Sequence, residues 1–392
     1  MRDWGFVKKL RRFNPLILSC VVSLSIVGTL FIYSACSIRE NPVLQVLHLR
    51  HIEVALAGLA ALTFISFLDY RKLLEWHWIS YAAGIVMLML VPLIGESRMG
   101  GQRWLFGIQP AELMKLAVIL TLAQLFGQRG ANHGFKAFLF SGLLVVVPAT
   151  LILLQPDLGT AMVMASTFIA MLFAANIAPK AVWSCVLAAM LLAGAVLGTV
   201  YYAEKAKDLT PEQREQVLKA THLRPHQIRR LQVFLFPDKD LHGSGYNRRQ
   251  SEIAVGSGGW RGKGYGKGEQ YTLGYLPPSV SSNDFIFSVL AEETGFMGTI
   301  TVLLLFLALL WSGLWVAFKC QDDRGRLICV GVTALVFSHA FINIAMTIGM
   351  MPITGLPLPF ISYGRTFMVT LMLAFGFVQS VSIHGREPET RF

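Results

Sequence analysis

Four stretches of the chain place ionisable side chains at the edges of long apolar runs. They are Arg103 in GGQRWL, Glu112 and Lys115 in QPAELMK, Asp157 in QPDLGT, and Asp284 in SSNDFIFSVLAEETGFMG. Charge at membrane depth is expensive, so such residues mark functional sites by default. Asp284 opens an apolar helix directly after a Gly/Pro-rich stretch, at a water boundary. A carboxylate at the mouth of an apolar cavity has its pKa raised by desolvation and lowered by a nearby Lys or Arg. Such a group can take the proton of a hydroxyl nucleophile. The alternative is an N-cap, a role Asn283 could fill instead, and the residues alone leave both open.

Glu112 and Lys115 are three apart, hence on one helical face. They either form a structural ion pair that holds a short helix or touch a substrate, and these readings stay level. Asp157, after Pro156, stands near a positive helix end and reads first as a cap. Lys263, with Arg261 and Lys267, lies in the glycine-dense run GSGYNRRQSEIAVGSGGWRGKGYGKGEQ. Backbone N–H groups left open by glycine also bind anions, so this run suits a phosphate or diphosphate. For Lys267, solvated surface charge is the simpler reading. GKGYGKG is not a nucleotide loop, because it lacks the GKS or GKT ending.

These residues need elements to carry them. Of 392 residues, 54% are hydrophobic and 15% are charged, against about 25% charged in soluble domains. The mean hydropathy is +0.55. The apolar residues come in runs of about 20, the length that crosses a bilayer. Ten candidate spans follow, at roughly 16–35, 52–68, 77–94, 111–126, 136–154, 158–176, 181–203, 284–318, 327–350 and 360–384. The fold class is an all-α polytopic membrane protein, a single integral membrane domain over 1–392, with one large extracytoplasmic loop at 204–283. The run Leu16 to Ala35 follows a basic segment but is long for a signal peptide, so it reads as a retained span. The fourth span is short and starts inside a polar cavity. The eighth is interrupted by Glu292 and Glu293, which predicts a kink or partial entry.

Orientation follows from the basic residues. With a cytoplasmic N-terminus, the inner segments hold 15 of them: Arg2, Lys8, Lys9, Arg11, Arg12, Arg71, Lys72, Arg129, Lys136, Lys180, Lys319, Arg324, Arg326, Arg386 and Arg391. The short outer loops hold Arg39, Arg50, Arg98, Arg103 and Arg365. That asymmetry predicts both termini inside. It also accounts for the net charge of +11 without nucleic acid. The first part of the 204–283 loop is polar with helical spacing and is expected along the membrane surface. The five cysteines fit no metal spacing.

The ordered strings RWLFGIQPAELMK, QPDLGTA, GSGYNRRQSEIAVGSGGWRGKG, LPPSVSSNDFIFSVLAEETGFMG and MPITGLPLPFISYG resemble the SEDS family (shape, elongation, division and sporulation). GLPLP is similar to the RodA branch more than to the FtsW branch, which tends to read GLTLP. The likeness runs from Asn14 to about His384. It implies ten transmembrane helices and a peptidoglycan glycosyltransferase of the cytoplasmic (inner) membrane, acting on lipid II and the nascent glycan strand for cell elongation and shape. Asp284 takes the place of the family's catalytic aspartate, which deprotonates the acceptor sugar hydroxyl. Arg103, Lys115 and Lys263 match basic positions suited to the diphosphate, and Glu112 and Asp157 match acidic positions near the same cavity. Gln250 and Ser257, inside the third string, are carried over as substrate-binding positions. The implied partners are a class B penicillin-binding protein with one transmembrane helix and membrane lipids. A divalent cation, Mg or Mn, could bridge Asp284 and the diphosphate, although no ligand set requires one.

Three departures from the family pattern stand out. Asn283 replaces a Thr, Ala111 gives QPAE for QPSE, and SYGRTF replaces SYGGSS. Arg365 thus puts a large cation at the outer end of the last span, where it could add a phosphate contact. Two other functions compete: a flippase for the lipid-linked precursor, and a non-catalytic scaffold for a transpeptidase. A flippase needs a polar path through the whole bilayer. Here the ionisable residues cluster at the outer ends of the spans, which favours chemistry on that face.

Overall fold

The computed structural model describes residues 9, 11–37, 42–98, 101–128, 134–206, 210–221, 223, 225–237, 240, 243–277 and 281–386. Arg2, Lys8, Arg39, Arg129 and Arg391, counted above for orientation, lie outside these residues. The long helices are α1 (Pro15–Ser37), α2 (Leu47–Phe67), α3 (His77–Ile94), α4 (Pro110–Gly127), α5 (Phe135–Leu154), α6 (Leu158–Ala174) and α7 (Pro179–Lys205). Three shorter amphipathic or polar helices follow, α8 (Pro211–Lys219), α9 (Pro225–Leu235) and α10 (Ser244–Ser257). The chain closes with α11 (Ile286–Lys319), α12 (Asp323–Thr347) and α13 (Arg365–His384). A small antiparallel hairpin, β1 (Glu96–Arg98) and β2 (Gly101–Trp104), joins α3 to α4 and pairs Ser97 with Gln102.

Among the described residues, nine helices are long and apolar enough to cross a membrane. The tenth expected span is α6, which has 17 residues and falls just short of that length. At 1.5 Å per residue it reaches about 26 Å, close to the hydrocarbon thickness. The interior of the bundle is built by α4, α12 and α13, whose apolar windows are the most buried. α13 packs chiefly on α2, while α11 packs on α12 and α1. Small residues permit these approaches: a Cβ at Gly28 of α1 would touch the Ile361 backbone, and one at Gly376 of α13 would touch Leu62 and Ile65 of α2.

Two boundaries differ from the sequence reading. The last span starts at Arg365, not near 360, because Pro352, Pro357 and Pro359 keep the preceding segment out of a helix. Among its described residues, the stretch 204–283 holds α8, α9, α10 and a single turn of helix at Glu269–Thr272 rather than a long open loop. α8 is nucleated by a capping box in which Thr210 and Gln213 satisfy each other's backbone N–H groups. The expected break in the eighth span falls at Gly295, with φ +64° and ψ −159°. Only glycine adopts that conformation readily. The reason for the break is packing. The 259–264 turn lies against it, with Phe296 N–H donating to Gly259 O at 2.9 Å and Lys263 N–H donating to Glu292 O at 3.0 Å.

Candidate active site

A cavity of about 470 Å³ opens where the N-termini of α4, α6, α11 and α13 converge. Arg103, Glu112, Asp157 and Asp284 line it together, although 181 residues separate the first from the last. Arg50, Arg230 and Arg365 join them. Each of these helices begins at a proline, a glycine or a polar turn, so its first-turn N–H groups and positive dipole end face the same space.

Asp284 sits two residues before α11, outside the span itself. Its position is fixed through the backbone. Asn343 of α12 donates from Nδ2 to Asp284 O at 2.8 Å and to Leu356 O at 2.7 Å. Tyr363 N–H donates to Ser282 O at 3.1 Å, and Ser362 Oγ donates to Asn283 O. The carboxylate is left free by this arrangement. Among the described residues no group hydrogen-bonds it, and the helix has no side-chain cap. The cap alternative for Asp284 therefore finds no support in the structure. Burial pushes the Asp284 carboxyl up to about 6, while the guanidiniums of Arg230 and Arg103 pull the other way.

Arg103 is held rigidly on the β hairpin. Its Nε donates to Gln155 O at 3.0 Å, another nitrogen donates to Pro156 O, and Nη1 lies 3.8 Å from Asp157 Oδ2. Asp157 caps α6 by accepting from Thr160 N–H at 3.1 Å, and Gln109 Nε2 donates to its other oxygen at 3.3 Å. Asp157 is therefore mostly committed to structure, with one edge on the cavity. Glu112 and Lys115 form a buried pair at 2.9 Å. Lys115 Nζ also meets His339 Nε2 at 2.7 Å and lies 5.4 Å from the Phe367 ring centre. Glu112 borders the cavity, whereas Lys115 stands behind it as the pair's counter-charge.

The remaining sequence candidates lie elsewhere. Lys263 bonds Glu292 at 2.9 Å and Glu269 at 3.2 Å, bracing the turn against the break in α11, and it does not line the cavity. Gln250 and Ser257 ride on α10, where the exposed Ser257 donates from Oγ back to Ala254 O of its own helix at 3.0 Å, and neither lines the cavity. Besides Arg103, three cations face the cavity: Arg50, counted in the sequence as outer-loop charge, Arg365, marked there as a departure that could add a phosphate contact, and Arg230. Arg230 is the main addition. It comes from α9 in the 204–283 stretch, and its guanidinium has no hydrogen bond to a described residue. One usable signal was present in the sequence. His339 and Asn343 are four apart in an apolar span, so they share a face. One holds Lys115 and the other holds the Asp284 backbone.

As for a metal, the described residues hold no group of three His, Cys, Asp or Glu side chains placed to bind one. The cavity offers Asp157 and Asp284 with Arg103 and Arg230 beside them. Two carboxylates whose neighbours are already guanidinium cations do not make a resident Mg or Mn site.

Comparison with known proteins places this arrangement. A family model described as cell cycle protein, FTSW_RODA_SPOVE, matches residues 14–387. The chain is 32% identical to the peptidoglycan glycosyltransferase MrdB of Escherichia coli (strain K12), covering 95% of this chain and 94% of that protein. It is 32% identical to the peptidoglycan glycosyltransferase RodA of Treponema pallidum, over 94% and 97%. It is also 32% identical to stage V sporulation protein E of Bacillus subtilis, over 96% and 99%. Among solved structures, it superposes with TM-score 0.74 and 25% identity on a chain from a peptidoglycan synthase complex that coordinates polymerization and crosslinking, covering 94% and 97%. The rod shape determining protein RodA of Thermus thermophilus matches with TM-score 0.65 and 24% identity, over 96% and 98%. This chain is a multi-pass helical membrane protein belonging to the FtsW, RodA and SpoVE family of cell cycle proteins.

Proposed function

We propose that the protein is a peptidoglycan glycosyltransferase that polymerises lipid II on the outer face of the cytoplasmic membrane, in the service of cell shape. The observation that carries this reading is the Asp284 carboxylate, unbonded among the described residues and facing a cavity with Arg103 and Arg230. The ionised carboxylate takes the proton from the acceptor sugar 4-hydroxyl. The freed oxygen pair attacks the anomeric carbon of the lipid-linked donor strand, and the bond to the diphosphate oxygen breaks. Undecaprenyl diphosphate leaves with that electron pair, and Arg103, Arg230, Arg50 and Arg365 offer it positive charge. Cations fixed before the reaction stabilise the leaving charge without reorganising.

Ten crossings, with α6 as the shortest, put both termini in the cytoplasm and residues 204–283 outside. The 1–392 chain then acts as one integral domain. The transpeptidase partner is a class B penicillin-binding protein, supported by the likeness to a synthase complex described as coordinating polymerization and crosslinking. Against a flippase, the cavity stops at the buried Glu112–Lys115–His339 cluster. Below it, α4 is buried with apolar residues through to Phe126.

The test is glycan polymerisation from fluorescent lipid II, with and without the transpeptidase. Asp284→Asn should lower the rate by at least about 100-fold, the low end for a lost general base. If the Asn variant polymerises as the native protein does, the general-base assignment is wrong. If the native protein with its partner moves lipid II across vesicles without making glycan, the flippase takes its place.

A further inference from the structure

A second basic cavity, of about 420 Å³, lies between the start of α1 and the final turns of α11 and α13. It is far from Asp284: from the start of α11 at Ile286 to Trp311 is about 38 Å along the helix. Arg11, Arg12 and Arg386 face it, and no carboxylate is among its lining residues. Its floor is built rather than incidental. Ser382 Oγ donates to Arg12 O at 2.8 Å, and Arg12 Nη1 donates to Ile383 O at 3.3 Å. Gln379 clamps Asn14 from both sides, accepting from its N–H at 2.9 Å and donating to its carbonyl at 2.7 Å.

The opposite wall is aromatic. Trp311 and Trp315 line the cavity and are 63% and 43% exposed, so their rings face whatever surrounds the bundle. They stack at 6.4 Å between centres, and Lys319 Nζ sits 4.4 Å above the Trp315 ring. Tryptophan concentrates at the membrane–water boundary, and basic pockets between spans on one leaflet side take anionic lipid head groups. A soluble anion would use the arginines and leave the exposed indoles without a role. A phospholipid uses both.

We propose that this cavity binds an anionic phospholipid, its phosphate between Arg11 and Arg386 and an acyl chain along Trp311 and Trp315. Arg12 is committed to the Ile383 carbonyl and shapes the site from behind. The proposal concerns lipid binding alone and stands whether or not the reaction assigned to Asp284 is correct.

The full-length chain in detergent is titrated with phosphatidylglycerol or phosphatidylcholine, and bound lipid is counted by native mass spectrometry. Phosphatidylglycerol should bind about ten-fold tighter, as one phosphate-facing cation pair allows. R11Q/R386Q should shrink that preference to about two-fold, while R11K/R386K keeps most of it. W311A/W315A should weaken both lipids and leave their ratio intact. Should R11Q/R386Q fail to give a cooperative unfolding transition, R386Q alone carries the comparison. Equal affinity for the two lipids in the native protein overturns the proposal, as does an undiminished preference in the glutamine variant. Full displacement of phosphatidylglycerol by millimolar inorganic phosphate would also sink it, since the site would then be one for a soluble anion.

Discussion

At the scale of single residues, the cavity separates charges that are already satisfied from charges held in reserve. Glu112, at the cavity wall, is paired with Lys115 behind it, and Asp157 is spent on a helix cap and Arg103. Asp284 and Arg230 face each other's field with no hydrogen bond to a described residue. A carboxyl pushed up to about 6 by burial is protonated, and idle as a base, below that pH. Polymerisation rate should therefore fall about ten-fold per pH unit as pH drops through about 6, and level off above it. Arg230→Ala removes a cation that holds this carboxyl down, so the inflection should move to higher pH. A rate–pH profile of both proteins checks the sign. An inflection that stays in place or moves to lower pH would show that Arg230 does not act on Asp284.

At the scale of elements, the site depends on where α11 starts and how it is held. Asn343 and the 354–363 segment fix its first residues, and the 259–264 turn clamps it at the Gly295 break. Glu292, wholly buried, accepts from Lys263 Nζ at 2.9 Å and from Glu269 N–H at 2.8 Å, which ties the turn to the helix. A Cβ at Gly295 would collide with the backbone nitrogen of Gly262, in a conformation only glycine tolerates. Gly295→Ala should cost about 2 kcal/mol or more of stability. It should also slow polymerisation, because the strain is relieved by shifting the helix that carries Asp284. A thermal unfolding curve and a polymerisation assay measure the two effects. An alanine variant with native stability and rate would mean that the break does no positioning.

At the scale of the whole molecule, the two ends differ in kind. One end gathers the helix N-termini and the cavity, and the other gathers Arg11, Arg12, Arg71, Lys319, Arg324 and Arg386 around Asp322 and the second cavity. In the proposed topology this basic end faces the cytoplasm. Single cysteines placed at Lys267 and Arg326 in a cysteine-free background test the topology, since both positions are exposed. A membrane-impermeant maleimide should label position 267 on intact cells and position 326 only after permeabilisation. The reverse pattern would put the cavity on the cytoplasmic side and remove the substrate assignment with it.

Hydropathy and charge were enough to read a helical membrane bundle, its approximate spans and a kink in the eighth, because burying backbone in lipid leaves few other solutions. They also singled out Asp284, Arg103, Glu112 and Asp157, since charge at an apolar boundary is conspicuous in any sequence. The order of the chain did not reveal that Arg230, 54 residues before Asp284, folds over the same cavity, nor that Lys263 turns away to Glu292. Glycine density in the 243–268 stretch concealed a regular helix, α10, whose residues pack against α11. Pairing between distant charges is decided by which helices pack together, and that depends on close approaches such as Gly376 to Leu62 and Ile65. The sequence marks which groups are costly to bury, and only the tertiary structure decides which of them are already paired and which are left facing the cavity.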